Sequence, residues 1–168
     1  LVRTRAMAGD ASVMARFADF RQQILARERD KPELKQAVVE MRDKMRRSLD
    51  KTNAEVFDLK QGRGGIVDIE FMVQYFVLGY AGEIAELVQW SDNIRLLETI
   101  AQKQLLPESE SQALIDAYRH YRARYHRLAL QNKKARVPAD DDADEREAVA
   151  QIWDRVMTQQ CDLKGGCV

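Results

Sequence analysis

Lys60-Gln61-Gly62-Arg63-Gly64-Gly65 puts two cations and three glycines together, directly ahead of an apolar run that starts at Ile66. The chemistry open to such a segment is anion binding. Free N–H groups in the first turn of a helix could converge with Lys60 and Arg63 on a phosphate, while Gly64 and Gly65 let the backbone approach it closely. Asp68, in that same first turn, works against this. It would repel a phosphate unless Mg²⁺ or Arg63 offset it, whereas alone it stabilises the helix dipole. A Gly-x-Gly-Gly run is also what a tight structural turn needs, and that reading competes with the anion site.

Other chemistry is poorly supplied. Asp68 and Glu70 point roughly 200° apart at about 100° per residue, so they cannot share one substrate proton. Glu70 and Gln74, four apart, form a polar stripe on an otherwise apolar helix. A buried Glu70 needs a partner, and Arg95 or Arg42 is expected to supply it, giving a structural polar core of Asp68, Glu70, Gln74 and Arg95. His120 and His126 lie on different faces of one helix, and no Ser sits in a strained Gly-flanked turn, so nucleophilic triads and His/Cys metal sites are not expected. The run Asp140 to Glu145 lacks the alternation and central glycine of a calcium loop and reads as a solvated helix start.

The elements that must position these residues are helices. Ile66, Ile69, Phe71, Met72, Val73, Tyr75, Phe76, Val77 and Leu78 occupy every side of a helical wheel, which predicts a helix over 66–80 buried all round. Ahead of the glycines, Val56 to Lys60 reads as a short extended piece. The first helix follows the Gly9-Asp10 cap, with Val13, Phe17, Phe20 and Ile24 spaced four, three and four apart. The second takes Pro32 in its first turn, with Leu34, Val38, Met41, Met45 and Leu49 inward and a basic outer face of Lys35, Arg42, Lys44, Arg46 and Arg47. A short piece spans Ile84 to Val88, and Ser91 caps a helix that closes near Leu105. Pro107 and Glu108 begin a long helix with Leu114, Ala117, Tyr118, Tyr121, Tyr125 and Leu128 on one stripe. After Pro138, a last helix buries Val149, Ile152, Trp153, Val156 and Met157. The expectation is an all-α bundle of about six long helices around the central one, in a single domain over 1–158 with a flexible tail at 159–168.

Composition narrows the partners. The 168 residues carry 27 basic and 27 acidic side chains, so no global field favours nucleic acid or an anionic membrane. The basic face of the second helix has no interleaved aromatic residues and reads as solvated rather than nucleic-acid-binding. There is no apolar run long enough to span a membrane and no signal-peptide pattern. Cys161 and Cys167, both in the tail, form neither a disulfide framework nor a metal site, and reduced thiols in a cytoplasmic protein are expected. Leu1 in place of Met suggests a piece of a longer protein.

The run from Lys60 to Gln74 resembles the segment that follows a nucleotidyltransferase domain in bacterial glutamine synthetase adenylyltransferases. Glu40 to Arg46, Trp90-Ser91-Asp92-Asn93-Ile94-Arg95-Leu96-Leu97-Glu98 and Leu128 to Gln131 resemble the same family in the same order. The Trp90 run and the Trp153-containing end look like the second, adenylylating half of such enzymes. The resemblance implies a helical domain beside a polymerase-β-type domain that moves AMP from ATP to a tyrosine of glutamine synthetase. The other half removes the AMP by phosphorolysis, under control of PII and glutamine. The family's metal-binding Gly-Ser and spaced aspartates have no match here, since Ser91-Asp92 follows Trp90 and begins a helix. By resemblance, ATP and Mg²⁺ therefore belong to the whole enzyme, with no metal ligand and no catalytic residue in this chain. Lys60, Arg63, Gly64 and Gly65 are the expected phosphate contacts, and glutamine synthetase, PII and the preceding domain are the expected partners. Two alternatives stay open: a pure interaction module in which the glycine loop is only a turn, and the similar bundle of a PII uridylyltransferase, which the Trp90 to Glu98 run disfavours.

Overall fold

A helix with apolar side chains all round has no face to offer water, so it must lie at the centre with other elements laid around it. The computed structural model, which describes residues 1–159, is built this way. Ten residues of α3 (Ile66–Tyr80) are buried, among them Ile69, Met72, Val73, Phe76 and Val77 with essentially no exposure. Around it lie α2 (Lys31–Leu49), α4 (Asn93–Gln102), α5 (Glu108–Leu130) and α6 (Ala143–Trp153), with a 3₁₀ turn at Ala85–Val88. A further helix, α1 (Ala11–Leu25), opens the chain, and α6 continues into one π turn, Asp154–Thr158. The chain is mostly α, as expected. Apart from Gln159, whose amide donates to Asp154 O at 3.1 Å, the expected tail at 159–168 with Cys161 and Cys167 lies outside the described residues.

Local signals account for most boundaries. The Asp10 carboxylate accepts from the Ser12 and Val13 amides, and Asp30 accepts from Glu33 N, each satisfying first-turn donors that a helix leaves free. Asp92, not Ser91, caps α4 by accepting from Arg95 N at 3.0 Å. That helix closes at Gln102 rather than near Leu105: Gln104 turns left-handed at φ 58°, and Leu105 N reaches back to Ile100 O. The stripes expected on α5 and α6 face inward, from Leu114 to Tyr121 and from Val149 to Met157.

The structure refines two of these readings, at the extended piece and in α1, and corrects one in α2. The extended piece pairs as a strand, β1 (Val56–Asp58), against β2 (Arg136–Pro138), antiparallel with Phe57 opposite Val137. Three residues that pair across such a distance leave no alternation to read. In α2, Met41 and Leu49 are exposed and Arg42 is fully buried, because the inward stripe runs through Arg42 and not through Met41. In α1, Val13 and Phe20 are exposed, and only Arg21 and Leu25 are buried.

Tyr75, Tyr118 and Tyr121 are buried, and burial pushes each phenol above its ordinary value. The Asp142 and Glu145 charges add to this at Tyr121, and Glu70 adds to it at Tyr118. A folded-state value above the unfolded one means stability that is complete below the unfolded value and is lost as pH rises beyond it. The urea midpoint should therefore hold steady to about pH 9 and fall steeply beyond about pH 10, where unfolded tyrosines ionise. A midpoint unchanged through about pH 11 would contradict this.

Candidate functional site

The glycine segment is a closed turn between β1 and α3, and its geometry follows from what surrounds it. Asp58 Oδ1 accepts from the Lys60 and Gln61 amides at 3.0 and 2.8 Å, which starts the turn. A Cβ on Gly62 would overlap the Phe57 ring, and one on Gly64 would overlap the Arg146 carbonyl of α6. Gly64 also adopts φ +79°, a backbone state that side chains disfavour. The Phe57 ring is held between the Tyr121 edge at 6.4 Å and the Arg146 guanidinium at 4.9 Å, so the turn is packed from three sides.

The amides that an anion site would need are already engaged. Gly65 N donates to Gly62 O, Ile66 N to Leu59 O, Val67 N to Lys60 O and Asp68 N to Gly65 O, all between 2.9 and 3.2 Å. Gly64 N donates to Asp68 Oδ2 at 2.7 Å. From Lys60 to Asp68 every amide except that of Arg63 has a partner within the chain, so a ligand here meets mainly side chains. Lys60 is exposed, and Arg63, also exposed, reaches Asp154 Oδ2 at 2.5 Å. The open groove beside them, about 410 Å³, is lined by Arg63 and Arg146 but also by Asp50, Asp140 and Glu147. Its acids outnumber its arginines, which disfavours a phosphate held by this surface alone.

Asp68 is fully buried and is the anchor of the turn. Arg42 Nε donates to its Oδ1 at 2.5 Å, and Arg46 Nη2 reaches both oxygens at 3.0 and 3.2 Å. Arg42 Nη2 also donates to Gln61 O at 2.8 Å, so one guanidinium ties α2 to α3 and to the loop at once. Arg46 was expected on a solvated face, and Arg42 either on that face or paired with Glu70. The signal that could have found Arg42 is its spacing, four after Val38 and three before Met45, which puts it on the inward stripe.

Glu70 pairs with neither of its expected partners. Arg3 Nη1 donates to its Oε1 at 2.8 Å, and Tyr118 OH donates to the same oxygen at 3.1 Å. Gln74 is half-buried. Arg95 is not in the polar core: more than half exposed, it lies over the Trp90 ring at 4.2 Å, with Asp92 at 3.9 Å. Asp141 and Asp142 are half-buried rather than solvated, because Arg124 grips both, and His120 Nε2 lies 2.8 Å from Asp142 Oδ1. Among the described residues, no group of three or more His, Cys, Asp or Glu side chains converges as metal ligands would. None of the described helices is long and apolar enough to cross a membrane.

The two carboxylates of α3 should answer differently to neutralisation. Asp68→Asn leaves two guanidinium groups facing each other with one partly and one fully buried, and should cost about 3–5 kcal/mol. Glu70→Gln loses a pair whose Arg3 partner is 45% exposed and should cost less than about 1 kcal/mol. Urea unfolding of the two variants checks the contrast, and equal losses would contradict the anchoring role of Asp68.

Comparison with known proteins gives these features a context. The model of the GlnD PII-uridylyltransferase family matches residues 32–160. Curated proteins named bifunctional glutamine synthetase adenylyltransferase/adenylyl-removing enzyme are 51% identical in Nitrosococcus oceani over 160 residues and 45% in Thioalkalivibrio sulfidiphilus over 159. The protein of that name from Hahella chejuensis is 44% identical over 164 residues. Each comparison covers 95% of this chain but only 16–17% of the relative, so the chain spans about one sixth of the length of the proteins it matches. The chain therefore belongs to the GlnD PII-uridylyltransferase family, and the relatives it matches there are bifunctional glutamine synthetase adenylyltransferase/adenylyl-removing enzymes.

Proposed function

We propose that residues 1–158 are the helical domain of the C-terminal, adenylylating half of an enzyme that attaches AMP from ATP to a tyrosine of glutamine synthetase and removes it again. The observation that carries this is the identity of 44–51% to adenylyltransferases along 95% of the chain. In this reading a nucleotidyltransferase domain precedes Leu1 and supplies the Mg²⁺ ligands, as the resemblance to the adenylyltransferases implies. Glutamine synthetase is the substrate and PII the regulator, acting in the cytoplasm.

The part assigned to this chain is positioning. With the loop amides other than that of Arg63 engaged inside the fold, Lys60 and Arg63 meet a triphosphate or leaving pyrophosphate chiefly through their side chains, across a cleft whose other wall belongs to the preceding domain. Phosphate contact by Gly64 and Gly65 is then limited to close backbone approach. A second reading, uridylyl transfer to PII, is favoured by the name of the matching family model alone.

The discriminating experiment uses the protein extended upstream through its catalytic domain. AMP transfer from ATP to glutamine synthetase, without UMP transfer to PII, is expected; the reverse would overturn the reading. In that protein, Lys60→Ala and Arg63→Ala should each raise the KM for ATP by roughly threefold to tenfold with an unchanged urea midpoint, as loss of one charged contact does. Unchanged kinetics in both would leave the glycine loop as architecture only.

A further inference from the structure

Helix α1 is amphipathic, yet it turns much of its apolar side outward. Its stripe of Val13, Phe17, Phe20 and Ile24 is the kind that normally drives a helix into a core. Here Val13 is 62% and Phe20 53% exposed, and nearby Met7 and Leu1 are 75% and 48% exposed. Beside this stripe runs a groove of about 880 Å³, lined by Met14 and Phe17 of α1, by Arg5 and Ala6, and by Trp90 and Arg95. Exposed apolar side chains next to an open groove, whose lining carries Arg5 and Arg95 together with Asp92, mark a surface that another body covers.

The chain itself indicates which body. The Arg21 guanidinium is spent entirely on backbone carbonyls: Nε donates to Leu1 O at 3.0 Å, Nη2 to Val2 O at 2.8 Å and Trp90 O at 3.2 Å, and Nη1 to Val88 O at 2.5 Å. The Val2 side chain is buried in the core, and Arg3 is held by Glu70 on α3. The first three residues are thus fastened between α1 and the N-terminal half of α3, next to the groove that Arg5 and Ala6 line. Any polypeptide joined to Leu1 begins at this face, and a tether of that length gives its surface a high effective concentration there.

We infer that the α1 face and its groove are the docking surface for the domain that precedes Leu1 in the full-length protein. Its complement is an apolar patch with a carboxylate at the rim opposite Arg5, since Arg95 already has Asp92 beside it. The inference rests on the reading above, in which further chain precedes Leu1. It adds which face of the bundle that domain covers and assigns Arg21 and Glu70 the task of fixing how the chain arrives there.

Hydroxyl-radical footprinting tests this in the upstream-extended protein and in the 168-residue chain. Oxidation of Met7, Met14, Phe17 and Phe20 is expected to fall roughly fivefold or more in the extended protein, as it does when an interface core loses water. Leu130, 86% exposed at the C-terminal end of α5, provides the unprotected reference. Phe20→Asp, a change at an exposed position, should restore labelling of Met14 in the extended protein while the circular dichroism of the short chain stays unchanged. Equal labelling of Met14 and Phe20 in both proteins overturns the inference. So does protection in the short chain that grows with its concentration, which would make a second copy the occupant. Adenylyl transfer measured on the same extended protein separates the two levels: protection without activity leaves the docking face and removes the functional reading, and activity without protection does the opposite.

Discussion

The fold turns on one buried carboxylate. Asp68 sits in the first turn of a helix that is otherwise apolar on nearly every side, and an unpaired charge there would be costly. Arg42 and Arg46 from α2 and the Gly64 amide converge on it, so nearly all of its acceptor capacity is used. A buried ion pair of this kind contributes little net stability compared with well-packed apolar side chains, but removing one partner is severe. What it does specify is geometry. The same Arg42 guanidinium holds Gln61 O, so α2, α3 and the glycine turn can be right only together.

Other contacts build outward from that node. Leu59 N donates to Ala135 O, and β1 pairs with β2, which carries the turn to the segment between α5 and α6. Arg146 of α6 approaches Gly64 and covers Phe57, and Asp154 beyond α6 meets Arg63. A loop enclosed this way is rigid scaffold in its backbone and reactive only at its tips. Exposed Lys60 and Arg63 side chains, rather than a cradle of amides, therefore face outward at this turn, beside a groove in which acids outnumber arginines.

Much of this was legible in the sequence, for identifiable reasons. The bounds of α3 follow from the glycines that precede Ile66 and the apolar wheel behind them, and the start of α5 follows from Pro107. The importance of the glycine turn and of Asp68 was also readable, because a carboxylate one turn into an apolar helix has to be explained. Which cations explain it was not. Arg42 looks like any surface arginine, since a long aliphatic stem lets a guanidinium sit on an outer face or reach across a core. Glu70 found Arg3, 67 residues away in sequence, where Arg95 or Arg42 on a neighbouring helix had been expected. The stripe on α1 was correctly read as apolar, yet Val13 and Phe20 on it are exposed, because periodicity reports that a face needs a partner without saying whether that partner lies within the same stretch of chain.

The central claim is that the bundle positions nucleotide without binding it alone, because its helix-start amides are consumed by its own fold. Calorimetric titration of ATP with Mg²⁺ into the 168-residue chain and into the protein extended through the preceding domain tests this most directly. The account predicts heat of binding for the extended protein only. Saturable binding of comparable affinity to the short chain would contradict it, and would mean that the glycine turn opens to expose the donors that this structure shows engaged.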